Sequence, residues 1–92
     1  MPKFIVIHAM PSPVTFEEGT PLGRKVKANN TVDAYWVRSV VQMNNEGKIS
    51  TLYCEWNAKD VEALKKVLAK EPELPTEGIY PVSYTHLRAH ET

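Results

Sequence analysis

The chain of 92 residues has one cysteine, Cys54, so no internal disulfide can staple it. That fits a reducing compartment, and the cytoplasm is the expected location. No apolar run approaches the roughly 20 residues of a membrane-spanning helix. The apolar stretch near the start, FIVIHAM, is too short for a signal peptide and lacks a cleavage site. Neither sign of charge dominates, because 11 Lys and Arg balance 11 Asp and Glu. No electrostatic footprint for nucleic acid or an anionic membrane follows. There is also no Gly-rich phosphate loop, no Ser-His-Asp set and no CxxC pair.

The C-terminal stretch shortens the inventory further. Val82 to Thr92, VSYTHLRAHET, reads residue for residue as the translation of a transposase sequencing adapter. It is expected to be a non-native tail and is set aside from fold reasoning. The adapter frame also dictates the end of the Pro81 codon, so native sequence is secure to Tyr80. One domain is expected over residues 1–81, with the tail over 82–92. Setting the tail aside removes Arg88 and Glu91 together, so the charge stays balanced. It also removes His86 and His90, whose i, i+4 spacing would otherwise suit a metal on a helix. His8 is then the one histidine. A domain this small builds a modest core, so association through an exposed sheet face would help it.

What is present is a strand-rich centre. AYWVRSVVQM, NNEG and KISTLYCEW, spanning Ala34 to Trp56, form two runs dense in Val, Ile, Thr, Tyr and Trp around a turn. Asn44, Asn45 and Gly47 tolerate positive φ there, so the stretch predicts a β-hairpin. Strict alternation would put Trp36, Arg38, Val40 and Gln42 on one face of the first arm and Tyr35, Val37, Ser39 and Val41 on the other. In the second arm, Ile49, Thr51, Tyr53 and Glu55 alternate with Ser50, Leu52, Cys54 and Trp56. Neither arm has a purely polar face. Helices are expected to cover one side of the sheet and a second subunit part of the other.

Before the hairpin, Lys3 to Ala9 predicts a central strand, with Phe4, Val6 and His8 on one face and Ile5, Ile7 and Ala9 on the other. Met10-Pro11-Ser12-Pro13 is expected to end it, since neither proline can donate to a ladder. Thr15 to Glu18 has capping-box spacing, but Gly19 and Pro21 follow at once. An irregular turn near Thr15 and a short helix from Pro21 to Asn29, capped by Thr20, are expected, with Leu22 and Val26 inward. After the hairpin, Asn57 as N-cap predicts a helix from Ala58 to Lys70. Its apolar stripe is Val61, Leu64, Val67 and Leu68, and Glu62 and Lys66 form an i, i+4 pair. Ile79-Tyr80 begins a last strand. The order βαββαβ predicts an α+β, ferredoxin-like fold, an antiparallel sheet with both helices on one face.

The segments KFIVIHAM, WVRSVV, GKISTLYCEWNAKDVEALKKVL and ELPTEGIYPV resemble a family of small bacterial ferredoxin-like proteins, mostly described as a domain of unknown function and in part as nickel-binding. The resemblance implies a dimeric α/β barrel, two sheets packed face to face, and hence a homodimer. It also implies a metal site: His8 matches the family's strand-one His ligand. Cys54 lies about two residues from the family's Cys, on the same face at a different depth. The family's helix histidines have no counterpart, because KDVEALKKVLAKEPEL contains none. Two donors remain where a d-block ion normally takes at least three.

Plainer roles compete for each of these residues. His8 reads first as a hydrogen-bonded sheet residue, then as a metal ligand, and last as a proton-transfer group. Cys54 reads first as a small core residue. Trp36, Trp56, Tyr35 and Tyr53 read as core or interface aromatics ahead of a stacking platform for a ligand. Glu55 could face His8, but solvation at the start of the helix is the favoured reading. Arg38 could anchor an anion or an interface ion pair. Three functions follow: a homodimer binding a divalent metal such as nickel through His8 and Cys54, a cofactor-free monooxygenase- or isomerase-like enzyme with His8 lining a sheet-face pocket, and a non-catalytic structural dimer.

Overall fold

The apolar run in KFIVIHA builds β1, Lys3–Val14, one of the two strands that lie inside the sheet. It is followed by α1 (Phe16–Ala28), β2 (Ala34–Met43), β3 (Ile49–Ala58), α2 (Val61–Leu68) and β4 (Gly78–Val82). The structure is a computed structural model that describes residues 1–84. His86 and His90, with the metal spacing noted above, lie outside the described residues. All strand pairs are antiparallel, in the order β2-β3-β1-β4. This is the ferredoxin-like α+β arrangement. No helix among the described residues is long and apolar enough to cross a membrane.

The two helices cover one face unequally. On that face Phe4, Val6, Cys54, Trp56, Ala34 and Ala58 pack with Leu64 and Val67 of α2 into one core. Asp60 caps α2, its side chain accepting from the Ala63 N–H at 2.8 Å. Asn57 therefore does not cap the helix as expected: β3 runs on through Ala58, and Asn57 accepts from Lys3 Nζ at 3.1 Å. Glu62 pairs at i, i+3 with Lys65, at 3.9 Å, instead of with Lys66.

Helix α1 starts earlier than expected. Thr15 Oγ1 accepts from the Glu18 N–H at 3.1 Å, and Glu18 Oε1 accepts from the Thr15 N–H at 2.9 Å, so the capping box forms and sets the start at Phe16. Pro21 sits inside the helix; Thr20 is not the cap, and its hydroxyl donates to the Phe16 carbonyl at 2.6 Å. No residue of α1 is fully buried, and Leu22 and Val26 are only half-buried. Its C-terminal end is tied across the domain by Asn29 Nδ2, which donates to Glu71 Oε1 at 3.2 Å.

Three irregularities set the register. The prolines do not end β1, which continues to Val14, but pairing lapses between Ala9 and Val14, where they lie. On β2, Trp36 opposes Trp56 and Arg38 opposes Glu55, so Val37 is a bulge. On β3, Thr51 and Ile49 oppose Gln42 and Met43, which bulges Ser50 and carries Ile49 onto the helix side, against Gly19. Both bulges overturn the strict alternation expected for the hairpin arms. Gly47, φ +74°, closes the turn between them, and Asn44 Oδ1 accepts from the Glu46 and Lys48 N–H groups.

This unequal packing has a measurable consequence. Leu64→Ala is expected to cost about 2–5 kcal/mol in urea unfolding, while Leu22→Ala costs under about 1 kcal/mol. An added methyl at Gly23 would meet nothing within 4 Å. Gly23→Ala is therefore expected to stabilise by about 0.5–1 kcal/mol; equal losses at Leu22 and Leu64 would contradict the packing described.

Candidate functional site

The bulge at Val37 decides what lines the space between α1 and the sheet. Beyond it the phase of β2 reverses, so Ser39 joins Trp36 on the helix face, opposite Cys54. Trp36 Nε1–H donates to Ser39 Oγ at 2.8 Å, and Ser39 Oγ–H donates to Cys54 Sγ at 3.1 Å. These three form the floor of a groove of about 390 Å³ walled by Gly23 and Val26 of α1, with Arg24 and Lys27 at its mouth. Cys54 is free and buried. Burial pushes its thiol pKa up, with the Ser39 hydrogen bond opposing in part, so the sulfur is a neutral acceptor and not a thiolate nucleophile.

His8 lies on the same face but in a different environment. It is 1% exposed, and its Nδ1 is 2.8 Å from the Pro75 carbonyl oxygen in the loop before β4. A carbonyl only accepts, so Nδ1 carries the proton and the neutral ring keeps its lone pair on Nε2. Burial lowers the His8 pKa, opposed by that hydrogen bond. His8 pairs with Leu52 and Cys54 with Val6, so the two sites sit diagonally on neighbouring strands. Such diagonal positions are about 7–8 Å apart. Among the described residues no group of three or more His, Cys, Asp or Glu side chains is placed to hold a metal ion. The groove is lined by Cys54 and not by His8.

Glu55 corrects both of its expected roles. It lies on the face away from His8, and it is 5% exposed where solvation was expected. Arg38 Nε donates to its Oε1 at 2.8 Å and Lys3 Nζ lies 3.5 Å from its Oε2. The Tyr84 hydroxyl, from the C-terminal tail, also donates to Oε1. The Tyr84 contact, then the Arg38 guanidinium, hold the carboxyl below its usual range against the cost of burial. The alternation rule could not find this pairing, because the bulge moves Arg38 to the Glu55 side. The Trp36–Ser39–Cys54 contact was hidden for the same reason.

Comparison with known proteins finds no matching family model, curated protein or solved structure.

Two titrations test these environments. Below the ordinary His value of 6.5 the unfolded chain takes up a proton that folded His8 resists. Stability is thus full above that pH, declines as pH falls below it, and levels off under the folded pKa. Urea melts should show a decline that His8→Gln removes. Iodoacetamide should alkylate Cys54 in the folded chain with a pH midpoint above that of the urea-unfolded chain; coincident midpoints would rule out the buried, neutral thiol.

Proposed function

We propose that the chain acts as a small homodimeric binding protein whose subunits meet through the face of the sheet that the helices do not cover. The observation that carries this reading is the make-up of that face. Tyr35, Val40 and Tyr80 are exposed there and Ile5, Ile7 and Tyr53 half-buried. Ile5, Ile7, Tyr53, Val40 and Tyr80 adjoin one another there, beside the charged row of Lys3, Arg38 and Glu55, and an apolar patch with a polar border marks an interaction surface. A second copy suits it electrostatically. Glu55 is neutralised within its own chain by Arg38 and Lys3, so two identical faces meet without an unmatched buried carboxylate. The size also suits: strands of this length, at about 3.3 Å per residue and about 4.8 Å apart, make a face of roughly 550 Å² in plan. That is of the order of the about 800 Å² of accessible surface per partner in a stable interface. The single buried thiol suits a reducing, cytoplasmic setting.

A second reading, divalent metal binding, rests on the Pro75 carbonyl. Metal-bound histidines commonly donate their other ring N–H to such an acceptor, and His8 Nε2 is left as the donor atom. Cys54, on the same face of the neighbouring strand, is the second donor of this reading.

Sedimentation at about 100 μM should give a dimer, and Tyr35→Lys with Val40→Lys should weaken it at least about 100-fold while leaving the circular dichroism unchanged. A wild-type monomer at that concentration would end the dimer reading. For the metal, calorimetric titration with Ni²⁺ of a chain carrying His86→Gln and His90→Gln should show saturable uptake that is lost when His8→Ala is added. Heat that is absent, or that survives the substitution, would exclude His8 as a ligand.

A further inference from the structure

We infer that the groove between α1 and the sheet is a binding site for a small amphipathic carboxylate. The apolar body would lie over Trp36 and Val26, and the head group would be held by Arg24 and Lys27. This site is on the helix face, so it does not depend on the subunit contact proposed for the opposite face.

Three features lead to this occupant. At about 390 Å³ the groove has the size of a small-molecule site, near the lower end of the usual range. Its lining carries two cations and no carboxylate, which leaves a positive mouth over an apolar interior. Arg24 and Lys27 have no ion-pair partner among the described residues. At i, i+3 they project from one side of α1, next to the groove wall at Gly23 and Val26. The guanidinium of Arg24 offers a bidentate fork that matches a carboxylate, and Lys27 adds a point charge.

The groove can also admit a guest. With no fully buried residue, α1 is held to the sheet weakly, and its tie through Asn29 to Glu71 is at the far end from Gly19. A ligand can therefore wedge the helix outward without opening the main core, which α2 seals. At Gly23 the groove wall is open, since an added Cβ there would meet no atom within 4 Å. The Ser39 hydroxyl is already spent on Cys54, and the thiol is neutral, so recognition is non-covalent and its polar part lies at the mouth.

The test titrates the full chain with decanoate at submicellar concentration, followed by tryptophan fluorescence and by amide shifts. Saturable binding is expected, with shifts centred on Gly23, Val26, Ser39 and Cys54. Decanol should bind at least tenfold more weakly, since it lacks the charge, and Arg24→Gln with Lys27→Gln should weaken decanoate by a similar factor. Gly23→Leu fills the groove while favouring the helix, so it should abolish binding in a chain whose melting temperature is not lowered. No saturable binding, equal binding of decanol, or decanoate binding that survives Gly23→Leu would each overturn the site.

Discussion

One extra residue in β2, Val37, lies between two positions of β3 that are consecutive, and the side chains on each face of the sheet follow from it. Without the bulge, Arg38 would point at the helices and Ser39 away from them. With it, a guanidinium reaches a carboxylate on the open face and a hydroxyl reaches a thiol on the covered face. A charged group is thereby kept out of the core, where an unpaired charge costs several kcal/mol. The bulge is what makes both faces chemically coherent.

The covered face is itself divided. Leu64 and Val67 bury α2 against Phe4, Val6 and Trp56, and that contact closes the core. By contrast α1 is fixed at its ends, by the Thr15–Glu18 capping box and by Asn29, with a groove beneath its middle. Helix stability here comes from caps and local hydrogen bonds more than from burial. A segment of that kind opens at lower free energy than the packed core, which suits a ligand-binding wall.

His8 and Cys54 sit on one face of adjoining strands, yet their surroundings assign them different work. The Pro75 carbonyl and near-complete burial hold His8 as a neutral ring. Cys54 ends a short polar chain at the floor of the groove. Burial keeps both groups uncharged, so the Cys54 sulfur is held as a thiol and not as a thiolate.

Much of the architecture was legible in the amino acids. The apolar residues on both faces of KFIVIHA, the NNEG turn and the apolar spacing of Val61, Leu64, Val67 and Leu68 specify a central strand, a hairpin and an amphipathic helix, because each signal is local. Thr15 and Glu18 are legible too: their capping box starts α1 although Gly19 and Pro21 follow within its first turns. Element order then determined the ferredoxin-like class. Only tertiary structure decided the rest: that Val37 and Ser50 bulge, that Glu55 meets Arg38 and Lys3, that His8 meets Pro75, and that α1 leaves a groove above Cys54. The physical reason is that these depend on how one strand's residues count against another's. A shift of a single residue reverses every later side chain, and no local pattern within either strand records it.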